Sequence, residues 1–418
     1  MANEFNPLSS HPVDACQICA SKQLQPIIFL GHVPPVNTMP TVGGLPQPEL
    51  RFPLQLLRCD SCSLVQIGYV VDQRILFPHT YPYLSGTTRI LRDNFRDLAI
   101  QCRELGLVKE GDAVIDIGAN DGTLLFPFQE LGCRVLGIEP SQAADVAVGR
   151  GIPTIKDYFS LKKAKDVAVQ HGPARLVTAA NVFAHIAGVH DVVEGIKAML
   201  EPDGVFISEN HYLLALIQTN QYDTIYHEHL RYYSLGSLMK LLAMHGLEVF
   251  RVKRIPTHGG SIRVFTAAKG TFPVDPSVHA ALDEEARAGV TDGSAFAKFR
   301  ERVLQSKLDL MKLLSDLKRS GNRIFGVGAP SRASTLTTYV GLDDSTIDCV
   351  VEVQGSHKLD KYMPGTRIPV LNEEKLYREQ PQYALLLSWH IADELMEALR
   401  KHGYRGKFII PLPEPRIA

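Results

Sequence analysis

Two pairs of cysteines near the start of the chain have the spacing of a metal-binding knuckle. Cys16 and Cys19 form the first pair, and Cys59 and Cys62 form the second. Two thiolates from each turn suit a tetrahedral zinc ion, and four sulfur ligands leave no open coordination position. We therefore predict a structural Zn²⁺ site that supports folding and takes no part in the chemistry. Four unrelated cysteines, or a redox pair, are the alternatives.

A glycine-containing loop follows a predicted strand and precedes a predicted helix. It reads DIGANDG and holds the candidate residues Asp116, Gly118, Asn120, Asp121 and Gly122. Glycines at such a turn allow a ligand to approach the backbone closely. The loop departs from the GxGxxG pattern of a dinucleotide site, and its two aspartates would repel a pyrophosphate. They suit the sulfonium and ammonium groups of S-adenosylmethionine (SAM), which we predict as the cofactor.

Three further residues extend this predicted cofactor site. Glu139 ends the second strand, where an acid can accept hydrogen bonds from both hydroxyls of a ribose. Pro140 follows it directly, and Asp157 comes after the third strand, where it could contact the adenine amine. The alternatives are NAD binding and a glycine turn in an α/β domain that binds no nucleotide.

The segment QYDTIYHEHLRYYS, residues 221–234, holds two histidines, one glutamate and four tyrosines. It is not a zincin helix, because Arg231 stands where HExxH needs the second histidine. Histidine takes up a proton near neutral pH, a carboxylate raises its basicity, and a tyrosine can donate to an oxyanion. We predict base catalysis from this segment. A metal bound through His227 and His229 and purely structural histidines are the alternatives.

A second cluster supports the same prediction. Asn181 and His185 follow the fourth predicted strand. The carboxyl edge of a doubly wound sheet is where ligands bind, so these two residues are candidates for the reaction site.

Another glycine-rich turn, GVGAPSR, opens a second strand-helix unit at residues 326–332. Backbone amides at a helix start favour an anion, and Ser331 and Arg332 add donors. The turn itself carries no acid, and Lys358 lies after the next strand. We predict that these residues bind the phosphates of a nucleotide diphosphate. A duplicated domain that only packs against the first is the alternative.

Strand-like and helical segments alternate in two parts of the chain, which predicts two parallel sheets wound by helices. We expect an α/β protein with a class I doubly wound sheet, an N-terminal zinc-binding module and a smaller C-terminal Rossmann-like domain. The predicted boundaries are 1–77 for the zinc module, 78–270 for the SAM-binding domain, 271–319 for a helical connector and 320–418 for the C-terminal domain.

The bulk properties exclude several classes of protein. The net charge is −1 over 418 residues, without the basic excess of a nucleic-acid binder. The sequence has no apolar run of about 20 residues, so we expect no membrane span. The N-terminus lacks the pattern of a secretory signal, and seven cysteines make an odd count, so we expect a cytoplasmic protein. The sequence leaves monomer and homodimer open.

Several motifs together are similar to one family. They are the paired cysteines, IDIGANDG, ANVFAHI, YDTIYHEHLRYYS, HGGSIR and GVGAPSRAST. The chain resembles the bacterial C-methyltransferases that act on nucleotide-linked 4-keto-6-deoxy sugars. This resemblance implies that His229 is the base, that Tyr226 and Glu228 support it, and that a nucleotide-diphosphate keto-deoxysugar is the substrate. It also places five residues near the substrate: Tyr83, Ser85, His258, Ser261 and Arg263.

Two other functions stay open at this point. An O- or N-methyltransferase for a small molecule would share the SAM site without forming an enolate. A sugar-nucleotide-binding protein without enzymatic activity would use the zinc knuckle as a partner-binding surface.

Overall fold

Short antiparallel strands build the N-terminal module of the computed structural model, which describes residues 10–77 and 84–418. The strands are β1 (His11–Pro12), β2 (Leu24–Val33), β3 (Phe52–Cys59), β4 (Val65–Ile67) and β5 (Tyr69–Val70), and helix α1 is Gln73–Leu76. β2, β3 and β4 pair in that order, while β1 pairs with β5. Buried and partly exposed residues alternate along most of β3, so one face of this small sheet packs against the core.

A seven-stranded sheet forms the centre of the chain. Its strands are β6 (Ala113–Ile117), β7 (Arg134–Ile138), β8 (Thr154–Ile155), β9 (Ala174–Ala180), β10 (Leu200–His211), β12 (Leu247–Ile255) and β13 (Ser261–Ala268). The spatial order is β8–β7–β6–β9–β10–β13–β12, and β13 alone runs opposite to the other six strands. All five residues of β6 are buried, as expected for a strand covered by helices on both faces. This order confirms the expected class I doubly wound sheet.

Helices accompany the central sheet. They are α2 (Arg89–Glu104), α3 (Leu125–Glu130), α4 (Ala143–Gly149), α5 (Leu161–His171), α6 (Val189–Met199), α7 (Leu213–Gln218) and α8 (Leu235–Ala243). In α2 the buried residues Leu91, Phe95, Leu98 and Cys102 recur at helical spacing, so the helix buries a single stripe.

One strand of the predicted SAM-binding domain belongs to a different sheet. β11 (Arg231–Tyr232) pairs antiparallel with β4, which makes it the fourth strand of the N-terminal module. The sequence prediction assigned this strand to the range 78–270. Its position ties the histidine-containing segment directly to the cysteine module.

A helical connector leads to the C-terminal domain. The connector helices are α9 (Pro276–Arg287) and α10 (Ala295–Arg319). The domain contains β14 (Ile324–Val327), α11 (Ser331–Val340), β15 (Cys349–Glu352), β16 (Lys361–Tyr362), β17 (Pro369–Asn372), α12 (Glu374–Glu379), β18 (Tyr383–Leu386), α13 (Ala392–Lys401), β19 (Lys407–Ile410) and β20 (Arg416–Ile417). Five strands run parallel in the order β17–β15–β14–β18–β19, with antiparallel strands at both edges. The expected Rossmann-like domain is therefore present.

Within residues 10–77 and 84–418, no helix is both long enough and apolar enough to span a membrane.

Candidate active site

A cavity of about 960 Å³ lies where the carboxyl edge of the central sheet faces the C-terminal domain. It is lined by the first glycine loop, the histidine-containing segment and the start of α11. The structure thus brings together most of the residues predicted from the sequence. These residues are Ser85, Gly118, Asn120, Glu139, Pro140, Asn181, His185, Tyr226, Glu228, His229, His258, Ser331, Arg332 and Lys358.

Four of the predicted cofactor residues do not line the cavity. Asp116 is buried behind the loop, where it accepts a 2.6 Å hydrogen bond from the hydroxyl of Thr178. Burial raises the pKa of Asp116 to about 8. Asp121 is fully buried and accepts a 3.0 Å hydrogen bond from the amide of Gly86, so it links the glycine loop to the segment before α2. The others are Gly122, packed tightly against Ile152, and Asp157, which pairs with Lys163 at 2.7 Å.

Two predicted substrate residues also lie away from the cavity lining. The hydroxyl of Ser261 donates to the carbonyl of Thr257 at 3.0 Å. Arg263 is fully buried and pairs with Glu209 at 2.7 Å and with Asp97 at 2.9 Å. Acids inside the protein therefore balance the charge of Arg263, which holds the end of β10 in place. Tyr83, the remaining substrate residue predicted from the resemblance, lies outside the described residues.

The first glycine loop has the shape required for close contact with a cofactor. Gly118 has φ +70°, and a Cβ there would lie 2.4 Å from the side chain of Val182, so no other residue fits. Glu139 holds the loop through both carboxylate oxygens. They accept the amide of Asn120 at 3.0 Å and the amide of Ser141 at 2.8 Å. Each oxygen has a second lone pair, which leaves capacity to accept from a ribose diol. The loop therefore fits the nucleoside part of SAM.

Five histidines line one region of the cavity. His229 is buried, and the other four are partly buried: His185, His211, His258 and His390. The ring centroids of His185 and His229 are 4.8 Å apart, those of His211 and His229 are 5.4 Å apart, and those of His211 and His258 are 5.2 Å apart. Burial lowers the pKa of His185 and of His258 to about 4, and that of His390 to about 3. Burial also takes the pKa of His211 and His229 well below the usual value. These rings are neutral at physiological pH and can accept a proton.

The hydrogen bonds of His229 determine which of its nitrogens is basic. Its Nδ1 lies 3.0 Å from the carbonyl oxygen of Thr224. A carbonyl only accepts, so Nδ1 carries the proton and Nε2 keeps its lone pair. The Tyr226 ring lies 4.2 Å from the His229 ring, between centroids. The carboxylate of Glu228 accepts a 2.8 Å bond from the side-chain amide of Asn37, so the N-terminal module also contributes to this region.

His227 is oriented away from the cavity lining. Its Nε2 donates to the carbonyl of Pro53 at 3.1 Å, and its ring meets Phe52 edge to face. Burial lowers its pKa to about 4. His227 and His229 thus each use one ring nitrogen on a backbone carbonyl. Among the described residues, the four-cysteine group is the one cluster of three or more metal-ligating side chains close enough to share an ion.

The cysteine site has the dimensions of a zinc site. The four Sγ atoms lie within 4.8 Å of one another, with Cys16 and Cys62 at 3.4 Å and Cys19 and Cys59 at 3.6 Å. A tetrahedron with Zn–S bonds of about 2.3 Å requires sulfur separations of about 3.8 Å. The donor set and its geometry therefore fit zinc.

Arg231 connects this knuckle to the cavity. Its Nη1 donates to the side-chain oxygen of Gln17, between the first two cysteines, at 2.7 Å. Its Nη2 donates to the carbonyl of Ile186, one residue beyond His185. The sequence offered no sign of this connection, since the partners are more than 40 residues apart along the chain.

The second glycine-rich turn differs from its prediction in the contacts of three charged side chains. The turn itself lacks an acid, but the fold brings Glu352 to it, where the carboxylate accepts the amide of Ala329 at 2.8 Å. The ammonium group of Lys358 donates to the carbonyl of Ala329, and burial lowers its pKa. Arg332 lines the cavity, yet its Nε and Nη2 bind the carboxylate of Asp223 at 2.8 and 2.9 Å. Two of its three nitrogens are therefore engaged within the protein.

Sequence reasoning missed two of the histidines. His211 is the last residue of β10, at the same carboxyl edge that pointed to Asn181 and His185. The rule that ligands bind at this edge could have identified it. His390 lies in a short 3₁₀ helix of the C-terminal domain, and a single histidine there gives no sequence signal.

Comparison with known proteins covers nearly the whole chain. Family models match residues 16–77 ("Putative zinc binding domain"), 88–252 ("Methyltransferase domain") and 256–413 ("C-methyltransferase C-terminal domain"). C-methyltransferase NovU from Streptomyces niveus is 35% identical over 417 residues, which is 97% of each chain. A ubiquinone biosynthesis O-methyltransferase from Rhodopseudomonas palustris is 28% identical over 101 residues, or 23% of this chain and 39% of that one. The solved CcbJ methyltransferase from Streptomyces caelestis is 15% identical, covers 42% of this chain and 90% of its own, and has a TM-score of 0.33.

Proposed function

The chain belongs to the SAM-dependent C-methyltransferase family, and from this membership we propose that it methylates a carbon of a nucleotide-linked 4-keto-6-deoxy sugar. The observation that carries the proposal is the state of His229. It is neutral, its Nδ1 is held by a carbonyl, and it lines the same cavity as the first glycine loop. A neutral base is needed when the methyl acceptor is a carbon that must first lose a proton.

His229 Nε2 takes the proton from the carbon next to the ketone. The electron pair of the broken C–H bond forms the enolate, whose oxygen needs a hydrogen-bond donor, and the hydroxyl of Tyr226 in the same lining is our candidate. When bound, SAM supplies the methyl group, which the enolate carbon takes as the S–CH₃ bond breaks and S-adenosylhomocysteine is left. His229 then loses its proton to solvent, which restores the neutral base.

The cofactor site in this proposal consists of the first loop and the end of β7. Gly118 and Asn120 give close backbone contact, and Glu139 accepts hydrogen bonds from the ribose. Asn181 and His185 extend the lining toward the reacting carbon. His185 is 4.8 Å from His229 between ring centroids, so it is the second candidate for the base.

The nucleotide diphosphate is proposed to lie at the start of α11. The first amides of this ten-residue helix attract an anion, and Ser331 offers a hydroxyl at the same end. Lys358 is partly buried beside this turn, where its ammonium group donates to the carbonyl of Ala329, and it is a candidate partner for a phosphate. Ser85 and His258 line the cavity and are proposed sugar contacts.

The proposal is tested by incubating the full chain with SAM and a panel of nucleotide 4-keto-6-deoxy sugars. We expect one of them to gain a methyl group on carbon, located by NMR. In D₂O without SAM, the hydrogen next to the ketone should exchange for deuterium. Transfer to oxygen or nitrogen without exchange would instead indicate a small-molecule O- or N-methyltransferase. Binding of the sugar nucleotide with no consumption of SAM would contradict an enzymatic function.

A further inference from the structure

Helix α11 of the C-terminal domain contacts the segment that precedes His229. The guanidinium of Arg332 donates from Nε and Nη2 to both carboxylate oxygens of Asp223, at 2.8 and 2.9 Å. The indole Nε1 of Trp389 donates to the same carboxylate at 2.7 Å. Asp223 is fully buried and Arg332 is 6% exposed. Such a two-point pair between a planar guanidinium and a carboxylate fixes orientation as well as distance.

A second contact from the same helix lies two residues further along this segment. The hydroxyl of Thr335 donates to the carbonyl of Ile225 at 2.7 Å. Helix α11 therefore holds the chain on both sides of Thr224. The carbonyl of Thr224, in turn, accepts the Nδ1 proton of His229 at 3.0 Å.

We propose that Arg332 and Thr335 form an interdomain clamp on residues 223–225 that fixes the Thr224 carbonyl and thereby the tautomer of His229. Arg332 is then a positioning residue, and the phosphates are bound by other groups of the turn. This inference rests on the proposed function only in taking His229 as the base. It assigns the C-terminal domain a part in preparing the base in addition to holding the substrate.

The physical reason is the choice between two neutral forms of an imidazole. With the proton on Nδ1, the lone pair on Nε2 can accept a proton from the substrate. With the proton on Nε2, the ring donates where it must accept, and base catalysis is lost. The Thr224 carbonyl selects the first form as long as it stays in line with Nδ1. Release of the clamp frees residues 223–225 to rotate and removes this selection.

The test compares Arg332→Lys, Thr335→Val and the conservative Thr335→Ser in the full chain. Lysine keeps the charge but cannot make the two-point pair, and valine keeps the shape but lacks the hydroxyl. Arg323→Lys is the matched control, because Arg323 pairs with Glu379 in the same domain and does not line the cavity. The tautomer of His229 is read by NMR of ¹⁵N-histidine-labelled protein, with its signals assigned through His229→Gln.

If the clamp acts as proposed, wild type and Arg323→Lys should both show the Nδ1–H form of His229. Arg332→Lys and Thr335→Val should show a mixture of tautomers and lose about tenfold or more in kcat, with KM for the sugar nucleotide within about twofold. Thr335→Ser keeps the hydroxyl, so it should show the Nδ1–H form of His229 and the wild-type kcat.

An unchanged tautomer in both variants would overturn the clamp. A raised KM with unchanged kcat in Arg332→Lys would overturn it as well, because that result identifies a phosphate ligand. Absence of turnover by wild type on every keto-sugar would refute the proposed function, while the tautomer comparison would still decide the clamp.

Discussion

His227→Gln tests whether His227, which lies two residues before His229 in the histidine-containing segment, is a buried neutral ring that stabilises the fold. Nε2 of His227 donates to the Pro53 carbonyl at 3.1 Å, and glutamine can keep a donor there. Burial lowers the pKa of His227 to about 4. In the unfolded chain a histidine titrates near pH 6.5. At a pH between these two pKa values, His227 binds a proton in the unfolded chain but not in the folded protein.

The sign and size of the effect follow from this difference. Where the unfolded state binds more protons, stability falls as the pH falls. One histidine with these two pKa values lowers the free energy of unfolding by about 1.3 kcal/mol between pH 7.5 and 5.5. His227→Gln removes this contribution. The variant should be less stable than wild type at pH 7.5, and the gap should narrow by about 1.3 kcal/mol at pH 5.5.

Urea unfolding followed by circular dichroism at both pH values measures the gap. Protonation of the zinc ligands affects both proteins alike and cancels in the difference. His279→Gln is the control, because His279 is exposed on α9 and meets solvent in both states. A gap that is the same at pH 7.5 and 5.5 would refute the reasoning, since His227 would then not be a buried neutral ring.

Three further predictions concern the metal, the cofactor and the base. Cys59→Ser removes one of four thiolates, so metal analysis should find less than one zinc per chain and the Tm should fall; full zinc content would contradict the site. Glu139→Ala should weaken SAM binding by about 1.5–3 kcal/mol in calorimetry, because it removes hydrogen bonds to a charged acceptor. His229→Asn should lower kcat about 10²–10⁴-fold and abolish deuterium exchange into the substrate. Exchange retained in His229→Asn but lost in His185→Asn would make His185 the base.

The features that could be predicted from sequence depend on residues close together along the chain. The DIGANDG segment begins with the last two residues of β6 and leads toward α3, so one continuous stretch of sequence predicts the strand, the turn and the helix. The two cysteine pairs carry their own spacing, and the alternation of strands and helices indicates both parallel sheets. These local signals correctly indicated the doubly wound sheet, the Rossmann-like domain and the zinc-binding module.

The features that could not be predicted depend on pairs of residues far apart along the chain. Arg332 resembled a phosphate ligand because its turn lacks an acid, but its partner Asp223 lies 109 residues away. Arg263 in the HGGSIR motif likewise pairs with Glu209, 54 residues distant, and does not line the cavity. A buried arginine needs a carboxylate. The sequence does not identify the carboxylate that pairs with each arginine. That partner determines whether the guanidinium binds a ligand or an acid of the protein.

Contacts from the N-terminal and C-terminal modules meet on the segment around His229, the proposed base. The N-terminal module adds β4 next to β11, two residues beyond His229, and the central domain supplies the first glycine loop of the cavity. The C-terminal domain holds the preceding turn through Arg332. The segment around this proposed base, residues 225–230, is therefore a short loop without helix or strand, and other modules hold the chain on both sides of it. If His229 is the base, its position depends on all three modules. A fragment limited to residues 78–270 should then still bind SAM in calorimetry but fail to exchange the substrate hydrogen for deuterium, and exchange at the full-chain rate would contradict this dependence.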